Sequence, residues 1–335
     1  MSYNCTNSTC PNNTAQLPQE AAERFDYKCF LCDEVLQEPP LSIDSLLNQV
    51  DVLPVALQIL PRLQALLNDD NSSLDDIAST TRTDASLVSR LIHVANGAYF
   101  ALAHGGGCSS VEQALSRIGL NKAYSVVGYV AAKEVYCKFL TLYNITGQQL
   151  WQDSVRTAFC METLAPQIFV SSDSYEPPSR GVAYTAGLLW PIGKMVISQF
   201  HQSGGTKELN EIRPPLTLET EKEILGFSHL EVTTSLMEKW KFAQEVRSPI
   251  KFKNQPLRCQ DDRPFACLLS LVIAAVDAFP VTKEEININE MSRGFSPDSE
   301  TLAVTGISKM DFLEAICSSM QFIKMGSVVG RLKSR

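Results

Sequence analysis

Four cysteines fall within the first 32 residues, Cys5 and Cys10 with four residues between them and Cys29 and Cys32 with two. Two thiolate pairs in this arrangement can close a tetrahedral zinc site. The second pair, in YKCFLCDEVL, is the better half, because the short spacing lets two sulfurs reach one ion while the amides of the turn stabilise their charge. The first pair, in NCTNSTCPNN, has an allowed spacing but no aromatic or glycine support. Such a site would be structural, since four sulfurs leave no coordination position for water. The competing reading of the same residues is a loose cysteine-bearing tail.

The other six cysteines, Cys108, Cys137, Cys160, Cys259, Cys267 and Cys317, are scattered among apolar neighbours and read as buried thiols in a reducing compartment. The histidines are His93, His104, His201 and His229. A lone histidine on a helix is more often a hydrogen-bonded surface or core group than a ligand. No G-x-S-x-G, Walker or G-x-G-x-x-G pattern occurs, and Gly105-Gly106-Gly107 lacks a following Lys-Ser/Thr. Nucleophilic and nucleotide-loop chemistry therefore have no foothold in these patterns.

The chain has 335 residues and a formal net charge of −8, which argues against a surface built to neutralise nucleic-acid phosphates or an anionic membrane. No apolar run reaches the roughly 20 residues of a bilayer span, and the start lacks the pattern of a signal peptide, so a cytoplasmic protein is expected. Half of the net charge lies in residues 1–40, where Arg24 and Lys28 face six carboxylates. That segment is too polar to bury a core of its own and must be disordered, docked, or closed by a metal.

From Leu41 onward the period of the apolar residues is helical. Ser73 with Asp76 and Ser109 with Glu112 read as capping boxes, Asp84 as an N-cap, and Ser308 with Asp311 as the start of the last helix. Gly119 stands at an expected left-handed C-cap, and the segment from Asn121 to Tyr136, apolar nearly all round, is expected at the centre of the bundle. Pro191 and Gly193 predict a break inside 182–200, residues 248–264 read as loop, and residues 283–300 as a polar stretch. No alternating strand or fixed-period repeat is found, so the expectation is an all-α multi-helix bundle with a small four-cysteine head. The division expected is 1–40, 41–280 and 281–335.

The cysteine knuckle YKCFLCDEVL resembles that of a zinc ribbon. Residues 53–240 resemble the HDOD (HD-related output) domain of bacterial signalling proteins. The resemblance rests on LLNDDNSSLDDIA (66–78), RLIHVANGAYFAL (90–102), VEQALSRIGLNKAYSVV (111–127), LWQDSVRTAF (150–159) and AGLLWPIGKMVI (186–197). It implies an HD-like helical bundle. Members of the parent HD superfamily hydrolyse phosphoesters with a metal held by His and Asp, and here Trp190-Pro191 replaces that pair. Neither residue can bind a metal. Asp153, His229 and Asp277 stand near other positions of the pattern without restoring its centre.

The resemblance thus implies a noncatalytic signalling output or regulatory module acting on a protein partner or small ligand, with no catalytic metal and no nucleic-acid or membrane partner. The alternative is a metal-dependent phosphohydrolase acting on nucleotides or cyclic dinucleotides. Trp190 is expected to fill the volume vacated by metal and ligands. Lys194, which survives from the IGK motif, would bind phosphate in a catalytic relative but here is expected to solvate a helix end. Asn96, Tyr99 and Phe100 offer an amide beside two aromatics, a possible ligand or partner anchor that equally suits closure of the bundle.

Overall fold

A computed structural model of the chain describes residues 2–15, 17–37, 41–49, 55–67, 69, 71–83, 85–96, 107–120, 123–128, 140–170, 175–202, 209, 214–280 and 288–331. The chain divides into two compact units, Met1–Ser45 and Leu46–Arg335.

The first unit corrects the expectation that no strand forms. Strand β1 (Ser2–Cys5) is the centre of an antiparallel sheet between β2 (Leu17–Pro18) and β3 (Leu36–Gln37), with Tyr3 opposite Leu17 and Cys5 opposite Leu36. The outer strands are two residues long, too short to show an alternating pattern. Helix α1 (Gln19–Arg24) follows β2. The core of this unit is Tyr3, Cys5, Cys10, Ala22, Cys29 and Leu36, so three of its six fully buried residues are cysteines. A core that small does not offset the entropy of ordering the segment.

The second unit is helical. Its elements begin with α2 (Ile43–Gln49), which starts in the first unit's last residues, and continue with α3 (Val55–Leu67), α4 (Leu74–Thr81), α5 (Ala85–Ala95) and α6 (Val111–Ile118). Helices α4 and α5 both pack on α6, and α3 packs on α4. The Ser73–Asp76 box is present in both directions. The second box is shifted by one residue: Ser110 is the N-cap, and the Ser109 amide donates to Gln113 Oε1. Residues 123–128 are helical; the rest of the expected central helix, and Asp84, lie outside the described residues.

The larger layer is built around α7 (Gly147–Leu164). It packs against α8 (Arg180–Leu189), α13 (Arg263–Ala278) and α16 (Lys309–Arg331). Between these run α9 (Ile192–Gln202), α10 (Leu218–Leu225), α11 (His229–Lys239) and α12 (Gln244–Lys251). The expected break falls at Trp190-Pro191, between α8 and α9. Helix α12 occupies part of the expected loop, because Val246 and Ile250 share a buried face that outweighs Pro249. The polar stretch likewise carries α14 (Ile288–Gly294), anchored by buried Met291, and the start of α15 (Ser299–Thr305). No helix among the described residues is long and apolar enough to cross a membrane.

Candidate functional site

The hairpin-like path of the first unit brings the four cysteine sulfurs within 4.8 Å of one another. Cys5 leaves β1, Cys10 caps a short 3-10 turn, and Cys29 and Cys32 belong to the knuckle before β3. Cys5 and Cys32 sulfurs are 3.3 Å apart, and Cys10 and Cys29 sulfurs 3.7 Å. Four sulfurs about 2.3 Å from one zinc ion would be separated by about 3.8 Å, so the donor set fits a tetrahedral ion. The Asn7 amide donates to Cys5 Sγ at 3.4 Å and Asn12 Nδ2 to Cys29 Sγ at 3.3 Å. Burial works against the Cys29 thiolate, but bonds from the Leu31 amide, Asn12 and the Cys32 amide outweigh it and bring the thiol down to about 6. The cluster can therefore hold a metal ion.

A second cluster lies inside the helical unit, where α9 meets α11. A Cβ on Gly193 would clash with the His229 carbonyl oxygen and lie 2.8 Å from Thr233 Oγ1, so only glycine permits this approach. The Gly193 amide donates to Thr233 Oγ1 at 2.9 Å, and that oxygen lies within hydrogen-bonding distance of the Trp190 and His229 carbonyls. Trp190, Lys194 and His229 are thereby gathered at one point. The Trp190 and His229 ring centroids are 6.4 Å apart.

Glu221, fully buried on α10, holds His229 in place. It accepts from the His229 amide at 2.7 Å, from Nδ1 at 2.8 Å and from the Tyr143 hydroxyl at 2.8 Å. Burial disfavours the Glu221 carboxylate, yet these donors hold its pKa below the ordinary value. Burial pushes His229 down to about 4; Glu221 opposes this, while Lys194 and Lys253 add to it. The imidazole is therefore neutral at pH 7, with Nδ1–H directed at Glu221.

The rest of the cluster is charged. Lys194 Nζ lies 5.3 Å from the ring centres of both Tyr143 and Trp190, and Lys253 Nζ lies 4.7 Å from the Trp190 ring. Lys194 thus lies over aromatic rings instead of solvating a helix end. On α7, the wholly buried Arg156 is 3.7 Å from Asp153 and donates to the Val276 carbonyl at 3.3 Å. Burial pushes Asp153 up to about 7, relieved by Arg156; Asp277, on the exposed side of α13, is raised by partial desolvation against the pull of Lys253, Lys194 and Arg156. Burial lowers Lys194, and burial with Lys194 lowers Lys253 to about 8. Asp153, Asp277 and His229 do not converge as a ligand set; the four cysteines are the only such group among the described residues.

Asn96 is engaged elsewhere: its Nδ2 donates to the Cys108 carbonyl at 2.9 Å and its Oδ1 accepts from the Cys108 amide at 2.6 Å. Tyr99, Phe100 and His104 lie outside the described residues, and His93 is exposed on α5. Sequence reasoning missed Glu221, Tyr143, Lys253 and Arg156. For Glu221 a signal exists, since Leu218, Glu221 and Leu225 fall on one helical face. Lys253, in a turn beyond α12, carries none.

The family described as HDOD domain matches residues 53–256. An uncharacterised Treponema pallidum protein is 25% identical over 226 residues, which cover 66% of this chain and 41% of that protein; the chain thus spans about two fifths of this relative's length. A Geobacter sulfurreducens HDOD domain protein of unknown function superposes with a TM-score of 0.58 at 18% identity, covering 88% of this chain and 97% of the other. A Marinobacter aquaeolei protein provisionally named a signal transduction protein gives 0.56 at 20% identity, covering 91% and 67%. A Shewanella amazonensis protein provisionally named a phosphohydrolase gives 0.53 at 17% identity, covering 83% and 97%.

Proposed function

The chain belongs to the HDOD family, and from that premise we propose that its helical unit is a noncatalytic signalling output module that acts on a protein partner or small ligand. The observation that carries the reading is the occupancy of the interior: Trp190-Pro191 stands where the hydrolytic pattern has His-Asp, and the ammonium groups of Lys194 and Lys253 flank the indole. A divalent ion there would face two cations, Asp153 is pushed toward its neutral form, and the ionised Glu221 is already engaged by His229 and Tyr143. In this reading the indole, only 3% exposed, fills the volume that a metal and its ligands would take.

The phosphohydrolase alternative draws on the provisional name of the Shewanella neighbour, whose likeness to this chain is one of fold. A hydrolysis assay on nucleotides and cyclic dinucleotides with added Mn²⁺, Mg²⁺ or Fe²⁺ separates the two. No turnover above the blank is expected. Turnover abolished by His229→Ala or Asp277→Ala would establish the enzyme instead.

The four-cysteine unit is proposed to be a structural zinc site. Its donors are four sulfurs with no open position, and its core is too small without the ion. We place the functional divisions at 1–40 for this head, 41–280 for the output domain and 281–335 for the helical extension.

A further inference from the structure

The exposed large apolar side chains gather on the four-cysteine head. Five of the eight among the described residues fall within residues 25–35: Phe25, Tyr27, Phe30, Leu31 and Val35. The knuckle explains two of them. The sulfurs of Cys29 and Cys32 turn inward to the cluster, so the residues between them turn outward, and Phe30 and Leu31 are 52% and 55% exposed. The Phe30 ring rests against that of Phe25, itself half exposed, with centroids 5.5 Å apart. Val35 pairs with Lys28 across the hairpin. Backbone bonds hold that hairpin, the Cys29 amide donating to the Glu34 carbonyl and the Leu36 amide to the Tyr27 carbonyl, both at 2.7 Å. None of the five side chains belongs to the buried core of the unit. Polar residues at 30 and 31 would serve the knuckle equally well, and an apolar cluster left in water on a small unit marks a surface that is covered by something else.

Charge says what covers it. The exposed carboxylates Glu20, Glu23, Asp26, Asp33 and Glu34 share this segment with only two cations, Arg24 and Lys28, and Lys28 is already 3.9 Å from Asp33. The surface is therefore apolar and anionic. We propose that the knuckle face, centred on Phe25, Phe30 and Leu31, docks a protein segment whose large apolar residues are flanked by lysine or arginine. A second copy of the chain would set the same negative charge against itself, and an anionic lipid surface would be repelled. A turn closed by a metal is ordered before the partner arrives, so little of the contact energy is lost to ordering it. The inference rests on the reading of the head as a zinc-closed unit and adds a partner surface to it.

The probe is a short fluorescein-labelled peptide of leucine and lysine, with leucine at helical spacing, titrated with the full chain and followed by fluorescence polarisation. The same peptide with glutamate in place of lysine is the control. Saturable binding of the lysine peptide is expected, weakening as salt is raised, with no binding of the glutamate peptide. Phe30→Ser/Leu31→Ser should weaken it by about tenfold or more while the zinc content stays that of the natural chain. Phe169→Ser, which removes an exposed ring from the helical unit, should leave it unchanged. Val35→Ser gives a second reading if the double variant loses its zinc. Equal binding of the two peptides, or binding unchanged in the double variant, would overturn the proposal. So would a chain that sediments as a dimer and is returned to monomer by the double variant, which would assign the face to a second copy. Zinc content measured on the same sample separates the two readings: metal without peptide binding overturns the docking face alone, and a metal-free chain overturns the zinc site while the titration still decides the face.

Discussion

Replacing His229 with glutamine tests the interior network through proton linkage. The imidazole of the folded protein titrates at about 4, against 6.5 for an unperturbed histidine. Between those two values the unfolded chain carries a proton on this residue that the folded chain lacks, so its contribution to stability is complete above pH 6.5 and is lost as the pH falls toward 4. At about 1.4 kcal/mol per pH unit, the full window is worth about 3 kcal/mol. Asp153 works in the opposite sense. Its folded carboxyl titrates at about 7 and its ordinary value is 3.8, so over the same range the folded chain holds a proton that the unfolded chain has released, and stability rises as the pH falls. The two contributions offset one another in the natural chain. Glu221, held below its ordinary value of 4.5, loses its contribution only toward the acid end of this window. His229→Gln keeps an N–H for Glu221 and does not titrate. Urea unfolding from about pH 7 to about pH 4 should therefore show the difference between the natural chain and the variant narrowing by about 3 kcal/mol. Parallel stability profiles for the two proteins would refute a neutral, Glu221-bound imidazole.

Gly193→Ala places a methyl group against the first turn of α11 and breaks the bond from its amide to Thr233 Oγ1; overpacking together with a lost hydrogen bond should cost about 3 kcal/mol in urea unfolding. Cys29→Ser/Cys32→Ser should lower the metal content from about one zinc per chain to near none by elemental analysis. Zinc-free natural protein with four readily alkylated thiols would count against the site. Ser228→Ala removes the capping box that starts α11, in which Glu231 Oε2 accepts from the Ser228 amide at 2.8 Å, and should cost about 1 kcal/mol in the same unfolding measurement. Asn96→Ala should destabilise the protein by about 2 kcal/mol in urea unfolding through loss of its two bonds to Cys108.

What could be read from the chain follows the range of the interactions involved. Capping boxes and helix breaks depend on residues a few positions apart, and so Ser73 with Asp76 and the Trp190-Pro191 junction were legible. The cysteine spacing was legible for the same reason: each knuckle is local, and pairing the two requires only one small sheet. Helix α12 was not, because its only strong local signal, Pro249, points the other way, while the burial of Val246 and Ile250 depends on α8, α11 and α13. The interior cluster was legible one residue at a time and illegible as a set. Asp153, Lys194, His229 and Asp277 come from four different helices, and Lys253 reaches them from a turn that carries no pattern.

The makeup of that cluster bears on why it persists. Loss of a metal removes the reason to keep carboxylates and a histidine inside a helical bundle, and replacing buried ionic groups with apolar residues of similar volume is often neutral or stabilising. Selection for packing alone would be expected to turn the surroundings of Trp190 apolar. Instead, Arg156 and Glu221 stand wholly buried, Asp153, Lys194 and Lys253 half-buried, and Asp277 exposed at the edge of the cluster. Glu221 and Arg156 have structural work that accounts for them, since one secures α11 through the His229 amide and the other reaches the Val276 carbonyl on α13. The lysines lie half-buried, each over an aromatic face, with the charges of Asp277 and Glu221 favouring both ammoniums. Half-buried ammoniums keep part of their hydration, so contact with the aromatic faces and the pull of Asp277 and Glu221 together hold both lysines beside Trp190.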